Sequence, residues 1–402
     1  MLSRVKFVVV LSSTLLTALL LIGAFMAESS SADNAYRQIA VYTEVLYKIK
    51  SEYVEDPDMK AVGRGALQGL LESLDAYSAY LTADEFKEYQ KRKGRQDAGL
   101  GLVISKRFGH VMALSSLPGS PAAKAGLQAG DLLESVDGRA ARDLPLPLVE
   151  VLLGGQTGST VRLVVRRSPR TEEPVELTLT RSVIAPPSVG SRMLADKVGY
   201  LDLKALNGGK AGEVARAVRQ LTEQGAERLL LDLRNNSLGD HQEAIKVANL
   251  FVDEGLLAYL EGQKFPRKQF QAEAGHSVSK LPLVVMTNRA TSGAAELLAA
   301  AILDRQRGQV VGERTFGQCA EQKTFPVEDG AAVILSIAKC YRPSGKAIQD
   351  GGVNPTLLVS ETGADTGAEE DPGPEPPERS PETDEILKKA IEVVKGALPR
   401  AA

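Results

Sequence analysis

The fold is decided by a short apolar strand that leads directly into a helix of small residues. Residues 283–305 read LVVMTNRATSGAAELLAAAILDR, an apolar run followed by a polar turn and an alanine-rich stretch. Upstream, Leu229–Leu233 is a second run that is apolar apart from Asp232, and Val214, Val218 and Leu221 recur at helical spacing. Alternating helices and strands, with strands apolar on both faces, are typical of an α/β layer around a parallel sheet. The sequence therefore predicts an α/β core.

Outside this core the residue composition and the hydrophobic periodicity change several times along the chain. Apolar residues recur at helical spacing before the core, then short β-branched runs alternate with Gly-rich turns, and an acidic, Pro-rich stretch follows the core. We predict six segments: a signal or transmembrane anchor (1–32), an N-terminal helical region (33–95), a small strand-rich domain (96–182), the α/β core (183–360), a disordered acidic linker (361–385) and a short C-terminal helix (386–402).

Composition excludes several classes of protein. A chain of 402 residues with 43% hydrophobic and 25% charged side chains is neither fibrous nor wholly disordered. The formal net charge is −3, but the ten acids and one arginine of the linker contribute −9, so the remainder is only mildly basic. That surplus is too small for a nucleic-acid-binding protein. The two cysteines and three histidines show no zinc-like spacing, so we expect no metal and no other cofactor.

The N-terminal segment indicates export. Arg4 and Lys6 precede an uncharged run over residues 7–27, which is long enough to cross the roughly 30 Å hydrocarbon core as a helix. A basic flank favours the cytoplasmic side. We therefore predict an anchor in the bacterial inner membrane, with the remaining chain facing the periplasm. The small residues Ser30–Ala32 also suit a cleavage site, so a cleaved signal peptide and a secreted or periplasmic protein is the alternative.

A serine stands between the second of the two apolar strands and its helix. Free amides and the helix dipole at such a position favour a developing negative charge, and Gly293 and the alanines after it leave room for a substrate backbone. Ser292 is therefore a candidate nucleophile, with an ordinary N-cap as the alternative. Similarly, the polar stretch Asp232–Gly239 is either a turn that binds an oxyanion or an ordinary turn.

Seven stretches of the chain occur in the order found in a known family. Over residues 36–360 the sequence resembles the carboxyl-terminal processing peptidases, or tail-specific proteases, which are serine peptidases with an inserted PDZ domain. The matching stretches are Leu74–Ser78, Gly99–Val103, Ser120–Asp131, Asp232–Asn236, Asn288–Glu296, Thr315–Gly317 and Tyr341–Ile348. The resemblance implies a ClpP/crotonase-like α/β peptidase core, a PDZ domain over 96–182, and hydrolysis of peptide bonds in the cell envelope.

The resemblance also assigns roles to individual residues. It implies Ser292 as the nucleophile, the amides of Gly293 and Leu238 as an oxyanion hole, and Gln322 as a residue that orients the base. The family's lysine base is replaced by Gln318, and an amide cannot accept the serine proton near neutral pH. Two functions follow: a C-terminal processing endopeptidase, or a catalytically impaired relative that acts as a PDZ peptide-binding adaptor or regulator.

A lysine on the neighbouring strand could replace the missing base. If Asp329–Gly330 forms a two-residue hairpin turn, Lys339 pairs with Ala320 and lies on the face that carries Gln318 and Gln322. Lys339 is therefore either a relocated base or a solvated strand lysine, and one bulge would shift this register.

The same register places the two cysteines of the chain opposite one another. Cys319 would face Cys340. In an exported protein this pair predicts a cross-strand disulfide, with two buried free thiols as the alternative.

The resemblance implies that the PDZ domain holds a peptide as an added strand, with backbone amides around the terminal carboxylate. The candidate peptide-binding residues are Leu100, Gly101, Leu102 and Val103 for the carboxylate, and Leu146 and Leu148 for an apolar side-chain pocket. The expected partners are proteins with unstructured apolar C-termini and, through the N-terminal helix, the membrane, but no nucleic acid. A homo-oligomer or an activating partner stays open.

Overall fold

The computed structural model describes residues 14, 17, 37–94, 97–167, 173–360 and 384–396. It forms two compact units, residues 1–67 and 68–402. Within the described part of the chain, no helix is both long enough and apolar enough to cross a membrane. The predicted anchor, residues 7–27, lies outside the described residues except for positions 14 and 17, and most of the acidic linker lies outside them too.

The predicted N-terminal helical region is helical for most of its length. Helix α1 covers residues 37–52, and the following elements are α2 (Met59–Glu72), strand β1 (Ala79–Leu81) and α3 (Ala83–Lys93). A capping box starts α3, because Thr82 Oγ1 accepts from Glu85 N while a Glu85 carboxylate oxygen accepts from Thr82 N. Helical periodicity did not reveal β1, a three-residue strand formed by pairing with a distant strand.

The small strand-rich domain is an antiparallel sheet with two helices. Its elements are β2 (Leu102–Arg107), β3 (His110–Ser116), α4 (Pro121–Lys124), β4 (Leu132–Val136), β5 (Arg139–Ala140), α5 (Leu146–Leu153), β6 (Thr160–Arg166) and β7 (Val175–Thr180). The strands follow the order β2-β3-β4-β6-β7, with β5 beside β4. Ser120 caps α4 and Pro121 occupies its first turn, a combination typical of helix starts.

The α/β core is built on a second sheet that is largely parallel. Its elements are β8 (Gly190–Leu194), β9 (Val198–Asp202), α6 (Lys210–Glu223), β10 (Arg228–Asp232), α7 (His241–Asn249), β11 (Leu256–Glu261), β12 (Lys268–Gln271), β13 (Leu283–Thr287), α8 (Ala294–Asp304), β14 (Gln309–Gly312), β15 (Ala320–Pro326), β16 (Ala332–Tyr341), β17 (Leu357–Leu358) and α9 (Glu385–Gly396). Six of these strands form the order β17-β14-β13-β10-β9-β8, in which β8 alone is antiparallel to its neighbour.

A third sheet carries the hairpin that follows the serine helix. Strand β16 lies between β1 and β11, and β12 pairs with the other edge of β11. Strand β15 also pairs with β16. The predicted pairing of Ala320 with Lys339 is present, but a bulge follows it, so Gln322 pairs with Ser336. The predicted two-residue turn is wrong: a 3₁₀ turn over Glu328–Gly330 replaces it. The bulge compensates for this longer turn, because it restores the predicted register near the open end of the hairpin.

A buried ionic cluster attaches α9 to the parallel sheet. The Arg234 guanidinium is fully buried and donates to Asp232 and to Asp384 Oδ1, the latter at 2.8 Å. Asp384 in turn accepts the Leu387 amide and so caps α9. Fully buried side chains of α9, including Ile386, pack against β10 and β13. The C-terminal helix, which follows the acidic linker in the sequence, is therefore part of the hydrophobic core.

Candidate active site

The site lies where two neighbouring strands of the parallel sheet end. Strands β10 and β13 are adjacent and parallel, so the turns after them meet at the same sheet edge. Asn235 N donates to Asn288 Oδ1 at 3.0 Å, and Asn288 Nδ2 donates back to Asn235 Oδ1 at 2.8 Å. The Ser292 amide donates to the carbonyl oxygen of Asn236 at 2.9 Å. These bonds join both candidate turns into one structure.

Ser292 lies two residues before the first residue of α8 and is only 2% exposed. It is not an ordinary N-cap, because the N-cap of α8 is Gly293. Among the described residues, no hydrogen bond involves the Ser292 hydroxyl. The structure thus places Ser292 at the junction that the sequence predicts, without an oriented base beside its oxygen.

Gly293 adopts a backbone conformation that few side chains tolerate. Its φ is 62° and its ψ is −120°, at the sharp turn from strand into helix. A Cβ added at this position would lie 3.6 Å from the main-chain oxygen of Gln318, with no other atom within 4 Å apart from its chain neighbours. A side chain at position 293 would therefore project toward Gln318.

Glu296 is a central residue of the site that the sequence interpretation missed. Its carboxylate is fully buried and accepts from the amides of Gly293, Gly317 and Gln318 at 3.0, 2.7 and 2.8 Å and from the Thr315 hydroxyl. Burial raises the pKa of Glu296 to about 7, although these hydrogen bonds act in the opposite direction. A Glu three residues after a helix start is the available sequence signal, since it matches a capping box.

The predicted oxyanion hole is only half available. The Gly293 amide is directed at Glu296, so the expectation that it binds an oxyanion does not fit this arrangement. By contrast, the Leu238 amide donates no hydrogen bond within the described chain, while its carbonyl oxygen accepts from Leu206 N at 2.7 Å. A Cβ at Gly239 would lie 2.5 Å from Leu206, so a glycine is required for this close approach.

The two glutamines of the predicted constellation do not contact one another. The side-chain oxygen of Gln318 is buried and has no hydrogen-bond partner in the described part of the chain. Gln322 lies beyond the bulge and donates to the main-chain oxygen of Tyr77 at 3.2 Å. The hydroxyl of Tyr77 in turn hydrogen-bonds Ser105 at 2.9 Å. Gln322 thus links the hairpin to the segment before β1 rather than orienting residue 318.

Lys339 lies on the surface and not in the site. Its side chain is 46% exposed, and its ammonium group lies 3.3 Å from Asp350 Oδ2. No hydrogen bond described in the structure joins it to Ser292 or Gln318. The register that the sequence predicts is therefore present at Lys339, but the side chain pairs with an acid instead of approaching the serine.

A disulfide joins Cys319 to Cys340, with a Cα–Cα distance of 5.3 Å. It closes the open end of the hairpin directly beside Gln318. The imidazole of His241 lies against both sulfur atoms, with Nε2 3.5 and 3.8 Å away, and burial lowers the pKa of this histidine. The spacing of Cys and His in the sequence did not reveal this cluster, because the histidine belongs to α7 and is far from both cysteines along the chain.

The PDZ-like domain contains a cleft of about 300 Å³ beside the start of β2. The lining residues include Asp97, Gly99, Leu100, Gly101, Leu102, Glu150 and Leu153. Gly101 has a φ of 66°, and a Cβ there would lie 2.3 Å from Ser120 Cβ, so the loop needs glycine at this position. The predicted pocket residues Leu146 and Leu148 do not line this cleft, because both are buried in the core of the domain.

The same domain contacts the turn after β10 and the segment that leads to Gln318. Ser115 of β3 makes a short hydroxyl contact with Ser237 in the turn after β10. Arg107 of β2 donates to the main-chain oxygen of Phe316 at 2.8 Å and lies 4.0 Å from its ring centroid. Val103 packs in the cluster around Phe316 rather than lining the cleft. Strand β2 is thereby joined to the segment that leads to Gln318.

Comparison with known proteins defines the class. Residues 197–359 match the model of peptidase family S41, and residues 114–167 match a PDZ domain model. The chloroplastic C-terminal processing peptidase of Tetradesmus obliquus is 31% identical over 358 residues, which cover 83% of this chain and 76% of that protein. The carboxyl-terminal-processing protease of a Picosynechococcus species is 33% identical over 300 residues, 73% of this chain and 72% of that protein.

A solved structure gives the same result. The photosystem II D1 C-terminal processing protease superposes with a TM-score of 0.64 at 30% identity, covering 78% of this chain and 86% of that one. The chain therefore belongs to the carboxyl-terminal processing peptidases, serine-type peptide-bond hydrolases of family S41 that carry a PDZ domain.

Proposed function

We propose that the protein captures the C-terminal tail of another protein in its PDZ cleft and hydrolyses a peptide bond of that tail at Ser292. The observation that carries this proposal is the contact of the PDZ strands with the turn after β10, through Ser115–Ser237, and with the segment that leads to Gln318, through Arg107–Phe316. A tail that leaves the cleft is then close to the serine without a large movement of either domain.

The proposed reaction is acyl transfer. Ser292 Oγ attacks the scissile carbonyl carbon, solvent water takes up the serine proton and protonates the amine as the C–N bond breaks, and a second water molecule hydrolyses the acyl-enzyme. The Leu238 amide stabilises the oxyanion, because the Gly293 amide is held by Glu296. The serine proton needs an acceptor, and the amide of Gln318 does not provide one. We therefore expect turnover about 10²- to 10⁴-fold below that of a peptidase with a positioned general base.

A second candidate function is tail binding without cleavage. The side-chain oxygen of Gln318 is buried without a described partner, and the glutamate next to it holds the amide that an oxyanion would need. Both features favour a regulator or adaptor that keeps the PDZ cleft while its hydrolytic site is silent.

Incubation of the full-length protein with unstructured proteins of different C-termini separates these functions. Mass spectrometry measures cleavage, and fluorescence polarisation of labelled tails measures binding, for the wild type and for Ser292→Ala. Cleavage that disappears in Ser292→Ala supports the peptidase. Binding with no cleavage by either protein supports the adaptor, and failure to bind any tail contradicts both proposals.

We also propose that the protein is anchored in the bacterial inner membrane and faces the periplasm. The support is the apolar run over residues 7–27 behind Arg4 and Lys6. Cell fractionation with intact mass measurement tests this location. An intact N-terminus in the membrane fraction is expected, whereas a protein that begins after Ser30–Ala32 in the soluble envelope fraction indicates a cleaved signal peptide.

A further inference from the structure

The PDZ cleft contains an acidic residue, Glu150, that has no role in the proposed hydrolysis. Helix α5 presents Leu146, Glu150 and Leu153 at positions i, i+4 and i+7, and Glu150 and Leu153 line the cleft. Asp97 lies in the same lining, on the loop that leads to the carboxylate-binding amides. The side of the cleft formed by α5 therefore presents an apolar side chain, Leu153, close to an acidic one, Glu150.

Glu150 has no basic partner within the described chain. No hydrogen bond or ion pair of the described residues involves its carboxylate, which is accessible from solvent. Burial raises the pKa of Glu150 to about 7, and the attraction of Lys93 only partly opposes this shift, so a cation bound in the cleft would favour the charged form. The Lys93 ammonium itself donates to Tyr89 Oη at 2.9 Å. The carboxylate thus faces the cleft with its hydrogen-bonding capacity unused by the protein.

We infer that the cleft selects C-terminal tails that carry Lys or Arg at the last or the third-from-last residue. This inference rests on the proposed capture of a tail beside β2. In an added strand alternate side chains point to the same face, so these two residues face α5 and the second-from-last residue faces away.

Charge also argues against a purely apolar tail. A tail brings its own terminal carboxylate to the amides around Gly101, close to Glu150 and Asp97 in one cleft of about 300 Å³. Like charges at short range repel, and a basic side chain placed between them neutralises this repulsion. The apolar tail expected from the sequence is therefore an incomplete description: Leu153 accommodates apolar atoms, and Glu150 requires a cation.

Binding of labelled peptides to the full-length protein tests the inference. A peptide with an apolar tail is compared with three variants that carry one lysine at the last, second-from-last or third-from-last residue. We expect about fivefold tighter binding for lysine at the last or third-from-last residue, a preference that weakens at high salt. Lysine at the second-from-last residue carries the same charge and serves as the matched control, with no gain expected.

Two substitutions locate the effect in the cleft. Glu150→Gln keeps the size of the side chain and should abolish the preference for lysine, and Glu150→Lys should reverse it in favour of tails with Asp or Glu. Glu176→Gln removes an exposed acid on β7 and should change nothing. Unfolding midpoints equal to that of the wild type show that the variants fold.

The outcomes are distinct from those of the proposed function. Equal binding of apolar and lysine tails, or a lysine preference that survives Glu150→Gln, overturns the inference while leaving tail capture intact. Absence of binding to every peptide contradicts tail capture itself. None of these outcomes depends on cleavage, because binding is measured on peptides that mass spectrometry shows to be intact.

Discussion

Gly293 directs its missing side chain at Gln318: a Cβ on the glycine would lie 3.6 Å from the main-chain oxygen of residue 318. Ser292, one residue earlier, carries the hydroxyl group of this turn, whereas a side chain at position 293 would point toward residue 318. A hydroxyl at position 293 would therefore lie close to a base introduced at position 318.

We accordingly expect Gln318→Lys to raise tail cleavage and Gly293→Ser/Gln318→Lys to raise it further. A positioned general base contributes about 10²- to 10⁴-fold, so the double variant should exceed the wild type by at least about 100-fold. Initial rates of cleavage of a labelled tail, measured by mass spectrometry, provide the comparison.

The matched control for this experiment is Gly293→Ala/Gln318→Lys. It imposes the same strain of a Cβ at a φ of 62° but adds no hydroxyl. Rates that are equal for the alanine and serine versions would show that position 293 does not present a nucleophile.

Replacement of Arg234 should strongly destabilise the protein. Arg234→Met removes the buried cation that pairs with Asp232 and Asp384 and leaves both carboxylates buried. Breaking such a cluster typically costs about 3 to 5 kcal/mol in the free energy of unfolding. Urea unfolding measures this cost. The exposed pair Arg162–Glu176 is the control, and Arg162→Ala should change the free energy by about 1 kcal/mol or less.

Glu296 predicts a specific dependence of stability on pH. Its pKa is raised from 4.5 to about 7 in the folded protein, because burial disfavours the charged form. A raised carboxyl pKa stabilises the fold fully below pH 4.5, and this contribution is lost as the pH rises through 7. The change amounts to about 3 kcal/mol for this single group.

Urea unfolding between pH 4.5 and pH 8 checks this sign. Glu296→Gln should remove the decrease, although the variant is less stable throughout, because its amide cannot accept all the hydrogen bonds that the carboxylate accepts. An identical pH slope in the wild type and in Glu296→Gln would contradict the assignment.

The disulfide should stabilise the hairpin beside the site. Cys319 and Cys340 are 21 residues apart, and cross-linking a loop of this length contributes about 3 kcal/mol by restricting the unfolded chain. We expect a reductant to lower the urea midpoint of the wild type. Cys319→Ala/Cys340→Ala should start at the lower midpoint and show no response to the reductant, and a response in that variant would locate the effect elsewhere.

The order of elements could be read from the sequence to a large extent. Apart from Asp232, Leu229–Leu233 and Leu283–Thr287 are largely apolar on both faces because the strands they form are covered by helices on both sides, and the observed β10 and β13 match them closely. Ser120–Pro121 likewise marked the start of α4. Strand β1 could not be predicted this way, since its three residues become a strand only by pairing with β16.

The candidate site was predictable only in its outline. Resemblance and local pattern placed Ser292 at the helix junction and paired Ala320 with Lys339, both of which the structure shows. The pairing of Lys339 with Asp350 and the burial of Glu296 depend on which side chains meet across distant segments. No spacing in the sequence encodes those contacts.

The sequence alone determined the family, the α/β core and the PDZ domain, because these follow from residue identity and periodicity along the chain. Only the tertiary structure decided that a side chain at position 293 would face Gln318, and that Glu296 accepts a hydrogen bond from the Gly293 amide. It also placed Glu150, rather than Leu146 or Leu148, in the peptide cleft. Side-chain direction depends on backbone dihedral angles and helix register, and these are set when the packed elements meet.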